Sequence, residues 1–247
     1  MAESVTYERR GDVALVTIRR AERKNAFDDA VVFGLEKAWQ RYAGSDERAA
    51  VLTSEGAEAF TVGADLKALP PEIWRAVPGV SVEIGKPLIC AVFGHCIGVG
   101  VALAQAADLC VAAESTRFTY AEPKIGFAYG LITALASRIP HKIAMEMMLL
   151  GRPIGAERAY EAGFVNQVVK DGAQLEAALD LAREVASSAP MVVRWLKHGV
   201  DQHVMPKSHV ESALHTMVGI GQMYDSIDRE EGFASFREKR KPAFQDK

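Results

Sequence analysis

Pro87-Leu-Ile-Cys-Ala-Val-Phe-Gly94-His-Cys-Ile-Gly98-Val-Gly100-Val-Ala-Leu-Ala-Gln-Ala-Ala107 holds no Asp, Glu, Lys or Arg. That is nearly the length a bilayer-crossing helix requires. Gly94, His95, Gly98, Gly100 and Gln105 interrupt the run, and this punctuation predicts a buried strand over 88–93, a turn, and a buried helix over 98–107. A strand that passes through glycines into a helix is the building unit of an α/β fold.

The same alternation extends outward. Val13-Ala-Leu-Val-Thr-Ile18 reads as a strand, with Gly11-Asp12 as the turn of a hairpin to 5–9. Asp28 or Asp29 can cap a helix whose apolar stripe is Val31/Val32, Leu35, Ala38/Trp39 and Tyr42, and further strands are expected over 49–53 and 108–112. Beyond residue 131 the character turns helical, over 131–138, 141–150 and 156–162, with one short strand over 165–169. Gly151 and Gly163 stand where helices stop. Leu175, Ala178/Leu179, Ala182 and Val185/Ala186 form a long stripe, Pro190 opens the next helix, and 207–224 and 228–237 read as helical too. The expected organisation is an α/β core over 1–190 and a helical C-terminal region over 191–247.

Composition narrows the function. The chain has 247 residues, 49% hydrophobic and 25% charged, an ordinary globular balance. A net charge of −3 argues against nucleic acid as a partner, and the interrupted apolar run argues against a membrane. Cys90, Cys96 and Cys110 lie in apolar surroundings without a C-x-x-C pair and read as reduced core thiols. The start, Met1-Ala-Glu-Ser, lacks the pattern of a signal peptide, so a cytoplasmic location is expected. Gly-x-Ser-x-Gly, the P-loop pattern and His-x3-His are all absent. His198, His203, His209 and His215 fall five or six apart, where they cannot share one helix face cleanly, and read as surface or packing histidines.

Three places can carry chemistry. Gly94-His-Cys-Ile-Gly98-Val-Gly100 sits between strand and helix, where free N–H groups can hold an anion or a developing oxyanion. A dinucleotide fingerprint would need a third glycine, and Leu103 stands there; tight strand-to-helix packing is the other alternative. Gly56-Ala-Glu-Ala-Phe60-Thr-Val-Gly63-Ala64-Asp65-Leu66 is a second glycine loop after a strand, read either as a plain loop with a capping Asp65 or as the source of a second N–H for the same oxygen. Glu122 lies among Phe118, Tyr120, Ile125 and Phe127, whose desolvation would raise its pKa and suit it to proton transfer.

Together with Arg23-Lys-Asn-Ala-Phe27, Lys86-Pro-Leu-Ile-Cys-Ala-Val-Phe-Gly94, Asp108, Phe118-x3-Glu122-x3-Gly126 and Glu231-Gly-Phe-Ala-Ser-Phe-Arg-Glu-Lys-Arg-Lys241, these segments occur in an order that resembles the crotonase superfamily, the enoyl-CoA hydratase/isomerase group, along essentially the whole chain. The resemblance implies a core of repeated β-β-α units and a helical C-terminal region that builds a homo-trimer or a hexamer of paired trimers. It implies an acyl-CoA substrate that reacts through an enolate, with coenzyme A carried by the substrate and no separate cofactor or metal. By position, the backbone N–H groups of Ala64 and Val99 would form the oxyanion hole and Glu122 would be the acid/base. Arg23, Lys24, Ala26, Val62, Asp65, Leu66 and Gly98 would line the coenzyme A and substrate site, with Phe236 and Lys239 approaching from the C-terminal helix of this chain or of a neighbour.

Two departures shape the expected reaction. Hydratases of the group commonly carry a glutamate on the buried helix as well as one at the Glu122 position, whereas Ala102 stands at that helix position here. One carboxylate suits a double-bond shift better than the addition of water, so isomerisation is the first expectation. Hydration of a 2-enoyl-CoA, a non-catalytic acyl-CoA-binding protein and a dinucleotide-dependent oxidoreductase are the alternatives. The stretch 66–86 is also shorter than is usual for the group, which should alter the acyl pocket.

Overall fold

The structure is a computed structural model that describes residues 3–126, 128, 130–205, 209–224 and 226–245. Residues 207 and 208 of the expected 207–224 helix, and Phe127, lie outside the described residues. The strands are β1 Val5–Arg10, β2 Val13–Ile18, β3 Ala49–Ser54, β4 Ala59–Thr61, β5 Leu88–Val92, β6 His95–Ile97, β7 Leu109–Ala113, β8 Arg117–Thr119, β9 Ile154–Gly155 and β10 Gln167–Val169. The helices are α1 Asp29–Ala43, α2 Val99–Ala106, α3 Glu122–Ile125, α4 His141–Leu150, α5 Ala156–Glu161, α6 Gln174–Ser187, α7 Pro190–Gly199, α8 His209–Tyr224 and α9 Ile227–Glu238.

β1, β2, β3, β5, β7 and β10 form one sheet in that order, parallel throughout except for the β1–β2 hairpin. Every residue of β3 and β5 is buried, as a parallel strand covered on both faces requires. Successive residues face opposite layers. Val13, Leu15, Val51, Ile89 and Val111 pack against Ala178, Leu179, Ala182 and Ala186 of α6. Ala14, Val16, Ile18, Leu52 and Cys90 face the larger core shared with α1 and α2. The alanine stripe of α6 brings that helix close to the sheet. Asp28 caps α1 through Val31 N–H at 3.1 Å, which settles the choice between the two aspartates. Among the described residues no helix is long and apolar enough to cross a membrane, because the charge-free run divides into β5, β6 and α2. All three cysteines are free and buried, and that burial pushes their thiols up.

A second sheet, β4-β6-β8-β9, was not expected from the sequence. Its strands run three residues or fewer, too short to display alternation. With it the repeat becomes plain: β3–β4, β5–β6 and β7–β8 each give one strand to the large sheet and one to the small, and a helical turn follows.

Other expectations need correction. The helix expected over 131–138 is a 3-10 helix, Leu131–Ser137. His198 and His203 do meet, with rings 6.4 Å apart in a T-shaped arrangement, because α7 runs into a π-helical turn, Val200–Val204, whose wider coil brings residues five apart together. Val210, Leu214 and Val218 of α8 pack on the larger core.

The α6 contact yields a test. Ala182→Leu forces a larger side chain between helix and sheet and should cost about 1–3 kcal/mol. Urea unfolding should show a lower midpoint at an unchanged slope; an unchanged midpoint would mean the α6 face is loosely packed.

Candidate active site

The small sheet positions the candidate residues. β4, β6 and β8 are parallel neighbours, and each is followed within three residues by one of them: Ala64 after Thr61, Val99 after Ile97, Glu122 after Thr119. β6 and β8 end in register, with Ile97 opposite Thr119, while the β4–β6 pairing shifts register between Ala59 and Thr61 and sets Thr61 opposite Cys96.

The Ala64 N–H is aimed by its own peptide group. Gly63 O accepts from Phe27 N–H at 2.8 Å, and Asp65 N–H donates to Phe27 O at 2.8 Å. The peptide is planar and trans, so its N–H points opposite to its carbonyl. Ala64 N–H therefore faces away from Phe27. The Val99 N–H is fixed by the same logic. Gly98 O accepts from Val101 and Ala102 N–H, at 3.0 and 3.3 Å, so the N–H across that peptide projects outward from the start of α2, where the first helical donors have no intrahelical partner. Among the described residues neither the Ala64 nor the Val99 N–H donates to another protein group.

Two glycines let these groups converge. A Cβ at Gly63 would stand 3.3 Å from Ile97 O and 3.9 Å from Gly98 Cα. Gly98 adopts φ 58, and a Cβ there would lie 2.6 Å from Glu122 Oε1 and 3.8 Å from Oε2. The Glu122 carboxylate therefore fills the space beside Gly98, next to the Val99 peptide, and Gly98 N–H is tied to the end of β8 through Thr119 O at 3.0 Å. Burial raises the Glu122 pKa to about 7, partly opposed by the backbone N–H groups of Glu122 and Ala121. Oε2 is buried and has no hydrogen-bond partner among the described residues. Phe118 and Tyr120 are buried, whereas Ile125 is 51% exposed and cannot desolvate the carboxyl as expected. The Tyr120 hydroxyl is pushed up by burial and by the Glu122 charge. Lys124 Nζ donates to Gly151 O at 2.7 Å and anchors the short helix that carries Glu122 to the end of α4.

The Arg23–Phe27 loop lies alongside. Asn25, 1% exposed and with φ 54, donates from Nδ2 to Glu55 O and Ala59 O at 2.8 and 2.9 Å, and Thr61 Oγ1 donates to Asn25 O at 2.6 Å. Val62 N–H donates to Lys24 O at 3.2 Å. Ala26 and Val62 thus sit beside the Ala64 turn, while Arg23, Lys24 and Leu66 are exposed on its rim. Lys24 pairs with Glu58 at 2.6 Å. Asp65 Oδ2 accepts from Arg20 Nη1 at 2.8 Å and Oδ1 from Lys67 N–H at 3.0 Å. Those donors hold its carboxyl below the usual range. Phe236 is 84% exposed, and neither it nor Lys239 hydrogen-bonds or ion-pairs with these loops among the described residues. The sequence reading missed Asn25 as a staple and Arg20 altogether. The arrangement offers two unpaired N–H donors beside one carboxyl that titrates near neutrality, the parts needed to polarise a carbonyl and move an adjacent proton. Ala102 is 3% exposed in the core, and α2 contributes no second carboxylate.

Comparison with known proteins places this arrangement in a family. Residues 8–247 match the family model described as enoyl-CoA hydratase/isomerase. The chain is 36% identical to an (E)-benzylidenesuccinyl-CoA hydratase of Thauera aromatica, over 97% of this chain and 98% of that protein. It is 32% identical to a carnitinyl-CoA dehydratase of Salmonella typhi, over 99% of both. A solved carnitinyl-CoA dehydratase structure from Mycobacterium avium 104 superposes with a TM-score of 0.77 at 35% identity, covering 100% of each chain. With its repeated β-β-α core and full-length match, the chain belongs to the enoyl-CoA hydratase/isomerase family.

Proposed function

We propose that this protein is an acyl-CoA enzyme in which the Ala64 and Val99 N–H groups receive the thioester oxygen and Glu122 moves the proton, with double-bond isomerisation as its reaction. The observation that carries this reading is the unpartnered, buried Glu122 oxygen beside Gly98. For a 3-enoyl-CoA, Glu122 takes a proton from the carbon next to the carbonyl. The resulting negative charge spreads onto the thioester oxygen held by the two N–H groups, and the same carboxyl returns the proton to the γ-carbon. The double bond has then shifted with no change in atoms or electrons. Arg23 and Lys24 stand on the rim as cations for the phosphates of coenzyme A, which arrives as part of the substrate. Exposed Met191, Trp195 and Leu196 on α7 support assembly of copies through the C-terminal helices. Similarity to a hydratase and a dehydratase favours a second reading, reversible hydration of a 2-enoyl-CoA, in which Glu122 activates water. Assay of matched 2-enoyl- and 3-enoyl-CoA substrates separates the two, since isomerisation predicts faster turnover of the 3-enoyl series and hydration the reverse.

Glu122→Gln preserves shape and removes the proton carrier. Turnover should fall roughly 10²–10⁴-fold with thioester affinity little changed, as read by steady-state kinetics and calorimetry; full activity would put the base elsewhere. Glu122 must also begin the cycle ionised. Its pKa is about 7, so kcat/KM should climb from pH 5.5 to 8 with an inflection near that value, and a flat profile over this range would contradict the assignment.

A further inference from the structure

Arg20 lies half-buried against the Arg23–Phe27 loop, its side chain 16% exposed. Nη1 donates to Ala26 O at 2.9 Å and to Asp65 Oδ2 at 2.8 Å, and Nη2 pairs with Asp28 Oδ2 at 3.1 Å. The Ala26 contact leads further. Ala26 O and Phe27 N–H belong to one peptide group, and Phe27 N–H donates to Gly63 O at 2.8 Å. Gly63 O and Ala64 N–H belong to the next. Guanidinium, two peptide groups and the Ala64 N–H thus form one head-to-tail chain of hydrogen bonds.

We propose that Arg20 is a positioning residue that orients and polarises the Ala64 N–H through these two peptide groups, strengthening it as an oxyanion donor. The inference rests on the reading of Ala64 as one of the two thioester-binding donors. Each hydrogen bond in such a chain polarises the next, by about 10–30% per bond, and a cation at the head adds to the effect in the direction that makes the last N–H more acidic. The fork geometry matters as much as the charge. One guanidinium spans the Ala26 carbonyl, the Asp65 carboxylate on the far side of Ala64, and the Asp28 cap of α1, so it also locks both flanks of the donor peptide. A lysine, a single point donor, cannot hold all three.

The test reads the carbonyl itself. Butyryl-CoA, saturated and therefore not isomerised, is labelled with carbon-13 at the thioester carbonyl, and its infrared stretch is compared free and bound. Bound to the native protein the band should move to lower frequency, as a carbonyl accepting two hydrogen bonds does. Arg20→Gln should return part of that shift and lower kcat about tenfold, a fraction of the 10²–10³ that loss of a whole oxyanion donor costs, with KM changed less than about twofold. Arg20→Lys should fall between the two proteins and keeps the test available if the glutamine variant does not fold. Arg19→Gln removes a neighbouring cation whose partner is the exposed Glu55, at 2.6 Å, and should leave the band where it is. A native-sized shift in a folded Arg20 variant would overturn the proposal and leave the guanidinium a structural staple. Absence of any shift in the native protein would instead overturn the oxyanion reading, and this proposal with it.

Discussion

Everything at the candidate site depends on the parallel register of three very short strands. β4, β6 and β8 end side by side, and each releases its chain toward the same point within three residues. A slip of one residue in a strand turns its side chains to the other face and would carry the following loop away from its neighbours. Strands this short cannot hold register by themselves. Asn25, bonded to Glu55 O and Ala59 O and receiving Thr61 Oγ1 on its own carbonyl, pins β4 from one side. The large sheet pins the others from behind, since β5 and β7 lead directly into β6 and β8.

Around that point the electrostatics are complementary. Among the described residues the Glu122 carboxyl makes no salt bridge, and burial, which disfavours its charge, raises its pKa to about 7. Beside it two N–H groups face outward from peptides whose carbonyls are already committed. In the proposed reaction, negative charge that leaves Glu122 as it gains a proton reappears on an oxygen at those donors, and the start of α2 adds the positive end of the helix dipole. Because the donors are set by covalent planarity and not by mobile side chains, that proposed reaction needs little rearrangement.

Much of this was legible in the residues. The large sheet, α1 with an aspartate cap at residue 28 or 29 and the buried α2 all follow from apolar runs, turn glycines and helical spacing. Gly98 and Gly63 stood out because glycines between a strand and a helix usually mark a close approach, and the structure shows that the group approached at Gly98 is the Glu122 carboxylate. What stayed hidden was non-local. Residues 59–61, 95–97 and 117–119 become strands only because they lie beside each other, and nothing within three residues announces that. Arg20 sits in Arg19-Arg20-Ala-Glu-Arg23-Lys24, a run that reads as solvated charge, and only tertiary structure singles it out by folding Ala26 and Asp65 onto it. Asp65 read locally as a loop cap, and its pairing with Arg20 stayed hidden because that partner lies 45 residues away.

The central claim is that Glu122 and the two N–H groups together make an enolate. Proton magnetic resonance of a 3-enoyl-CoA incubated with the protein in deuterated water tests it most directly. The account predicts deuterium entering the carbon beside the thioester and the γ-carbon at a rate proportional to native protein, and not with folded Glu122→Gln. A thioester that binds yet neither isomerises nor exchanges a proton above the protein-free rate would contradict it.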